Sequence, residues 1–183
     1  MDAILIGYFP KRTAVRPPWV HADSVEEIAS VSECISPGPS AQNEHWSPNE
    51  FGFFDSPAVA HAVLGDDAAE FDIYAYQLYP ILVHQGAARP AQVTPPTVEP
   101  LDVNFHLLGY DAVSRSHGKN FECSPLSCND AAREHEVTRD CLFANYDAAL
   151  AGATEFSNGN YEPGPYYIVE VYRYDRKLAH VGT

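Results

Sequence analysis

The chain is organised around one loop, FECSPLSCND at residues 121–130, which holds two of the four cysteines. An apolar run that predicts a strand precedes this loop, and a run that predicts a short helix at residues 131–134 follows it. A related string, ASVSEC at residues 29–34, lies in the first half of the chain. The two strings indicate that the chain consists of two similar halves.

Four stretches predict strands, and two others predict helices. Apolar or alternating runs at residues 4–9, 71–83, 105–113 and 166–174 favour β-structure. A helix is predicted from Pro57 to Gly65, with Asp55 or Ser56 as its cap, and a second helix at residues 146–156. Ser24 followed by Glu27 is also typical of a helix start.

The halves correspond motif by motif. Ile6-Gly7-Tyr8 matches Leu108-Gly109-Tyr110, Cys34 matches Cys128, and Phe53-Phe54 matches Leu142-Phe143 before a helix. We therefore predict one α+β domain over residues 1–183, in which duplicated strand–loop–helix–strand units share one sheet with the helices on one face. The units span about 4–83 and 105–176, and a proline-rich linker at 86–103 joins them. The competing hypothesis is chance similarity between short apolar strings.

Several strings resemble a group of uncharacterised bacterial proteins of similar length. They are ECSPLSCN at 122–129, EPGPY at 162–166, IGY at 6–8 and FFDSP at 53–57. The resemblance covers nearly the whole chain. The resemblance implies no function, because no activity is established for this group of proteins.

The acidic residues are concentrated in one segment. The formal net charge is −14, and residues 17–110 carry thirteen acidic side chains against the single Arg89. Such a chain repels nucleic acid and anionic lipid and attracts a basic protein. The first residues show neither a signal peptide nor a membrane span, so a cytoplasmic location is expected.

This charge motivates the first functional hypothesis, a non-enzymatic interaction module such as an immunity or inhibitor protein that binds a basic protein partner. Its expected contact residues are Asp66, Asp67, Glu70 and Asp72. The alternative explanation is that the acidity serves solubility alone.

The rival hypothesis is a small enzyme or ligand-binding protein that uses the cysteine loop. Its candidate binding residues are Arg115, Cys123, Ser124, Ser127, Cys128 and Asn129. A cysteine nucleophile would need a histidine base, for which His106, His117 and His135 are candidates, but no local motif supports any pairing. Three basic pairs, Lys11/Arg12, Arg115/Lys119 and Arg173/Arg176, would form an anion site only if they converge.

The cysteines allow two further interpretations. Cys123 and Cys128 are five residues apart, which is neither a redox nor a zinc-knuckle spacing. Together with Cys34 and Cys141 they suffice in number for zinc, whereas the simpler hypothesis makes them small buried side chains. We expect reduced thiols with no metal and no cofactor. Whether the protein is an enzyme stays open between the two hypotheses, and the lack of a catalytic motif favours the non-enzymatic one.

Overall fold

The computed structural model describes residues 2–39, 46–115 and 120–175. Its seven strands are β1 (Ile4–Lys11), β2 (Ala14–Val15), β3 (Glu27–Ile28), β4 (Asp72–His84), β5 (Ala87–Pro90), β6 (Phe105–Ser114) and β7 (Tyr166–Tyr174). Its helices are α1 (Pro57–Ala62), α2 (Pro125–Cys128) and α3 (Tyr146–Phe156), with 3₁₀ helices at Gly65–Glu70 and Ala131–Glu134. The predicted α+β class is confirmed.

The main sheet is antiparallel and follows the order β1-β4-β7-β6, with β5 beside β4. Strands β4 and β7 come from different halves of the chain and pair in the middle, where Leu78 lies opposite Val169. Both residues are fully buried, so both halves contribute to the apolar cluster around this pairing. Strands β1 and β6 form the two ends of this path.

Each of these end strands contains a glycine at a register shift. Gly7 follows the shift in β1, and Gly109 follows the shift in β6. Their φ angles are +137° and +154°, a region that side chains rarely adopt. A Cβ on Gly7 would lie 2.7 Å from the Cβ of Phe53, and one on Gly109 would lie 2.7 Å from the carbonyl oxygen of Phe143.

The glycines permit two close backbone pairings beside the sheet. Tyr8 and Phe54 exchange reciprocal N–H to carbonyl hydrogen bonds of 2.9 Å, and Tyr110 and Phe143 do the same at 2.9 Å. A helix begins soon after each pairing. The Ser56 side chain accepts from the first turn of α1, and the Asn145 side chain accepts from the first turn of α3, as N-caps do.

The alanine-rich α3 packs on the sheet through its small side chains. Ala149, Ala153 and Phe156 are buried against Tyr166 and Ile168 of β7. Small residues at this spacing let the helix approach closely, and Phe156 fills the remaining space.

Two local predictions are wrong. Ser24 starts no helix, because the N–H groups of Glu26 and Glu27 donate to the carbonyl of Arg139 and Glu27 enters β3. The predicted linker does not begin at residue 86, since β5 pairs with the end of β4 through a Gln85-Gly86 turn. Both turn residues have positive φ, as a two-residue hairpin turn requires.

Within the described part of the chain, no helix is both long enough and apolar enough to span a bilayer.

Candidate functional site: three thiols held by a buried lysine and aspartate

Lys11, at the end of β1, is fully buried. Its ammonium group donates to three consecutive carbonyl oxygens, those of Ser30 at 2.6 Å, Val31 at 3.1 Å and Ser32 at 2.5 Å. Burial lowers the pKa of Lys11 to about 7, against the attraction of nearby acidic groups and thiols. Because all three N–H bonds have acceptors, this lysine fixes the backbone of residues 30–32.

Asp111, in the middle of β6, holds the same segment from the other end of the sheet. Its carboxylate accepts from Ser30 Oγ at 2.7 Å, from the Val31 N–H at 3.0 Å and from Ser124 Oγ at 2.6 Å. Burial raises the pKa of Asp111, and the bonds from Ser124 and Ser30 oppose that rise. Asp111 therefore joins the two related loops, 29–34 and 121–130.

Three cysteines converge where these loops meet, and we call Cys34, Cys123 and Cys128 the thiol triad. Their Sγ atoms all lie within 4.8 Å of one another. Cys123 is buried, Cys128 is partly exposed and Cys34 is exposed, so the triad opens to solvent on one side. The fourth cysteine, Cys141, is fully buried in the core that contains α3.

The backbone around the triad is anchored on both sides. Ser32 Oγ donates to the Glu122 carbonyl at 2.8 Å and accepts from the Cys34 N–H at 3.2 Å. Cys123 is tied to the end of β6, because its N–H donates to Ser114 Oγ at 3.2 Å and its carbonyl accepts from the Ser114 N–H at 2.9 Å. The positions of the sulfurs thus follow from the sheet and not from free loops.

The three thiols have different acidities. The hydrogen bond from Cys123 lowers the pKa of Cys128 to about 7, while the same bond raises the pKa of Cys123. Burial is the main cause that raises the pKa of Cys34. The arrangement therefore favours a thiolate at Cys128, stabilised by two neighbouring thiols.

The structure brings together only some of the predicted binding residues. Cys123, Ser124 and Cys128 belong to the site, and Asn129 Oδ1 lies 3.8 Å from Cys123 Sγ. Ser127 is buried beside them: its side chain hydrogen-bonds Cys128, which helps to lower the pKa of that thiol, and its carbonyl accepts from the Trp19 indole at 3.2 Å. Arg115 instead places its guanidinium over the rings of Phe51 and Phe121.

The predicted partner-binding residues lie on a different surface. Asp66 and Asp67 are exposed on the 3₁₀ helix Gly65–Glu70. Glu70 pairs with Arg12 at 2.5 Å, and Asp72 accepts from Thr13 Oγ1 at 2.8 Å. Two of the four carboxylates thus have partners within the chain.

The candidate histidines do not join the triad where the structure describes them. His135 packs edge-on between the rings of Phe143 and Phe156, and His106 is exposed on β6. His117 lies outside the described residues. In residues 2–39, 46–115 and 120–175, the triad is the sole convergent group of three or more cysteine, histidine or carboxylate ligands.

The predicted anion site is not formed by the described basic residues. Lys11 is committed to carbonyl oxygens and Arg12 to Glu70, whereas Arg173 pairs with Glu27 at 3.3 Å and approaches Asp140 at 3.7 Å. Lys119 and Arg176 lie outside the described residues.

Sequence reasoning missed the roles of Lys11, Asp111, Ser30 and Ser32. One signal was present, since Asp111 is a lone carboxylate inside an otherwise apolar strand pattern. A charged residue in a buried strand needs partners and so marks a polar site. No comparable signal predicts that Lys11 turns inward, because lysine after a strand is usually exposed.

Comparison with models of known families, with curated proteins and with solved structures finds no match for this chain. Any functional argument therefore depends on the geometry of the site.

Proposed function

We propose that this protein binds a small ligand through the thiol triad, which is the ligand-binding alternative that the sequence left open. The convergence of three sulfur atoms within 4.8 Å of one another carries this proposal. Cys34 is 89 residues from Cys123 in sequence, so two separate loops must be placed to bring the thiols together. A structural role for small buried cysteines does not account for the exposed Cys34.

The free-energy cost of burying the two charged side chains that support the triad favours the same proposal. Lys11 and Asp111 are both fully buried, and buried charges are more expensive for stability than apolar side chains of similar size. Both charged side chains form hydrogen bonds with the loops that carry the triad. Rigid support of this kind is what a binding site needs to keep its contact atoms in place.

Alkylation kinetics test the chemical state of the triad. We expect Cys128 to react first, at a rate that rises with pH through a midpoint near 7, because the thiolate is the nucleophile and the pKa of Cys128 is lowered to about 7. Iodoacetamide modification, followed by peptide mass spectrometry between pH 5.5 and 9, measures this rate. Cys141 is the internal control, and it should stay unmodified in the folded protein. A Cys128 midpoint at or above that of an ordinary thiol would contradict the assignment.

The same assay tests the proposed function. A small-molecule and metal extract of the native host should slow alkylation of Cys34 and Cys128 and leave the denatured protein unaffected. Extracts that never protect these two thiols, at any concentration, would overturn the proposal that the triad binds a ligand.

The acidic surface supports a second candidate function, binding of a basic protein partner. Asp66 and Asp67 are both exposed, and no basic residue lies in the last turn of their 3₁₀ helix. Asp67 also lines a groove of about 180 Å³ together with Arg12, Leu64 and Phe71. The exposed pair Asp66 and Asp67 suits a cationic protein surface better than nucleic acid or an anionic membrane.

Charge reversal tests this candidate without disturbing the fold. The double variant Asp66→Lys/Asp67→Lys should slow association with a basic partner several-fold at low salt, because steering depends on long-range attraction. Stopped-flow association rates, measured against the basic protein recovered by affinity capture, give this effect. Asp2→Lys/Glu50→Lys is the matched control, since it makes the same change in net charge elsewhere on the exposed surface. Equal rates for both double variants, or a salt-insensitive partner, would rule out this role for the 3₁₀ helix.

We also propose that the two halves arose by duplication of one unit, with helices on a common face of the shared sheet. The matched glycines at the register shifts, the matched backbone pairings and the matched capped helices support this origin. In an experimental structure, residues 4–83 and 106–174 should superpose with two strands and one helix in the same order and direction. Different connectivity in the two halves would refute the duplication.

A further inference from the structure

We infer that the ligand of the thiol triad is a single divalent metal ion of the zinc class, bound by the sulfurs of Cys34, Cys123 and Cys128 with a fourth position open to solvent. This inference rests on the proposed ligand-binding function and names its ligand. It revises the expectation of metal-free thiols.

The spacing of the sulfurs fits one ion. Three thiolates bound to Zn²⁺ at about 2.3 Å in tetrahedral geometry lie roughly 3.8 Å apart. The Sγ atoms already lie within 4.8 Å of one another, so closing the site requires shifts of about 1 Å or less per pair. Rotation of the exposed Cys34 side chain supplies such a shift without moving the anchored backbone.

The charges near the triad favour a divalent ion over a monovalent one. Three thiolates carry a charge of −3, and Asp111, Glu33 and Glu162 are acidic groups that also act on Lys11 or on the thiols. Lys11 is the cation that attracts Cys34 and Cys128. A divalent ion reduces the charge of the triad from −3 to −1, whereas a monovalent ion such as Cu⁺ leaves −2 beside these acidic groups.

Binding has a defined proton balance. Each thiol that enters the coordination sphere loses its proton to solvent, so a fully protonated triad releases three protons per ion. Affinity for Zn²⁺ should therefore fall as pH falls, because protons compete with the metal for all three sulfurs.

The experiment uses the full chain, reduced and stripped of metal, with Zn²⁺ and Cd²⁺ as probes. Isothermal titration with Zn²⁺ should give one ion per chain. Cd²⁺ should give an ultraviolet thiolate-to-metal absorption band whose intensity corresponds to three sulfurs. In Cys34→Ser the Cd²⁺ band should shrink to two-sulfur intensity, and Zn²⁺ affinity should fall by about 100-fold, since even outer ligands are worth about 10–100-fold.

Two features keep this test decisive. Cys34 is exposed, so Cys34→Ser should keep the circular dichroism spectrum of the wild type, and Cys141→Ser is a matched loss of a thiol outside the triad that should bind Zn²⁺ unchanged. The inference is overturned if Cys34→Ser binds Zn²⁺ as tightly as the wild type, or if the wild-type Cd²⁺ band has two-sulfur intensity.

Failure of the inference is distinguishable from failure of the proposed function. Host extract that still protects Cys34 and Cys128 after treatment with a strong chelator would exclude the metal ion and keep ligand binding. Absence of any protection would exclude both.

Discussion

Replacing either Gly7 or Gly109 by alanine is expected to destabilise the fold by about 3–5 kcal/mol. Both glycines adopt φ angles that a residue with a side chain rarely reaches. A Cβ at either position would lie under 3 Å from atoms of the segment that pairs beside it, residues 53–54 for Gly7 and 142–143 for Gly109. The added methyl group must therefore break the pairing of Tyr8 with Phe54, or that of Tyr110 with Phe143. Urea unfolding followed by circular dichroism measures the loss.

Gly65 provides a control that separates backbone strain from crowding. Its φ is +53°, but a Cβ there would meet nothing within 4 Å, so Gly65→Ala should cost only about 1 kcal/mol. The matched pairings also predict losses of similar size for Gly7→Ala and Gly109→Ala. A cost no larger than that of Gly65→Ala would show that the chain segments beside the sheet yield easily.

Replacing Lys11 by methionine is expected to destabilise the protein by about 3–5 kcal/mol, although methionine is apolar and similar in length. The change leaves the carbonyls of Ser30, Val31 and Ser32 without their buried donor. It also removes the cation nearest to Asp111, whose burial already disfavours its charge. Chemical unfolding at pH 7 measures the cost, and faster alkylation of Cys34 should accompany it as residues 30–34 loosen.

The neighbouring Arg12 gives the matched control. Arg12 and Glu70 are each more than half exposed, so Arg12→Met should change stability by about 0–1 kcal/mol. If Lys11→Met proved as mild as Arg12→Met, the ammonium group would not be what holds residues 30–32.

Local patterns predicted the regular elements because they depend on neighbouring residues. The bounds of α3 follow from the Asn145 cap and the alanine stripe, and those of β7 from its alternating tyrosines and aliphatic residues. The prediction at Ser24 failed because a distant carbonyl, that of Arg139, satisfies the amides that a helix start would otherwise leave free. The helix propensity of residues 24–28 carries no information about a hydrogen-bond acceptor more than one hundred residues away in the sequence.

The site was harder to predict than the fold. Cys123, Ser124 and Cys128 were found because they crowd one short loop, and the link from Cys34 to that loop appeared only as a matched position in the other half. The spacing of Cys34 and Cys123 does not show that their sulfurs meet, because a contact over this distance depends on the pairing of β4 with β7. Nor does the sequence show which of two adjacent basic residues is buried. Lys11 is buried, whereas its neighbour Arg12 is more than half exposed.

The contribution of both halves to the triad has a consequence for biosynthesis. Cys34 leaves the ribosome long before Cys123, and β7, which joins the halves of the sheet, is made last among the strands. A nascent chain therefore carries an isolated, exposed Cys34 until β7 has been made, because domains fold as units once their sequence is available. Oxidants and stray metal ions encounter this single thiol during synthesis, and the finished protein presents three together. Formation of the triad thus requires that both halves have been made.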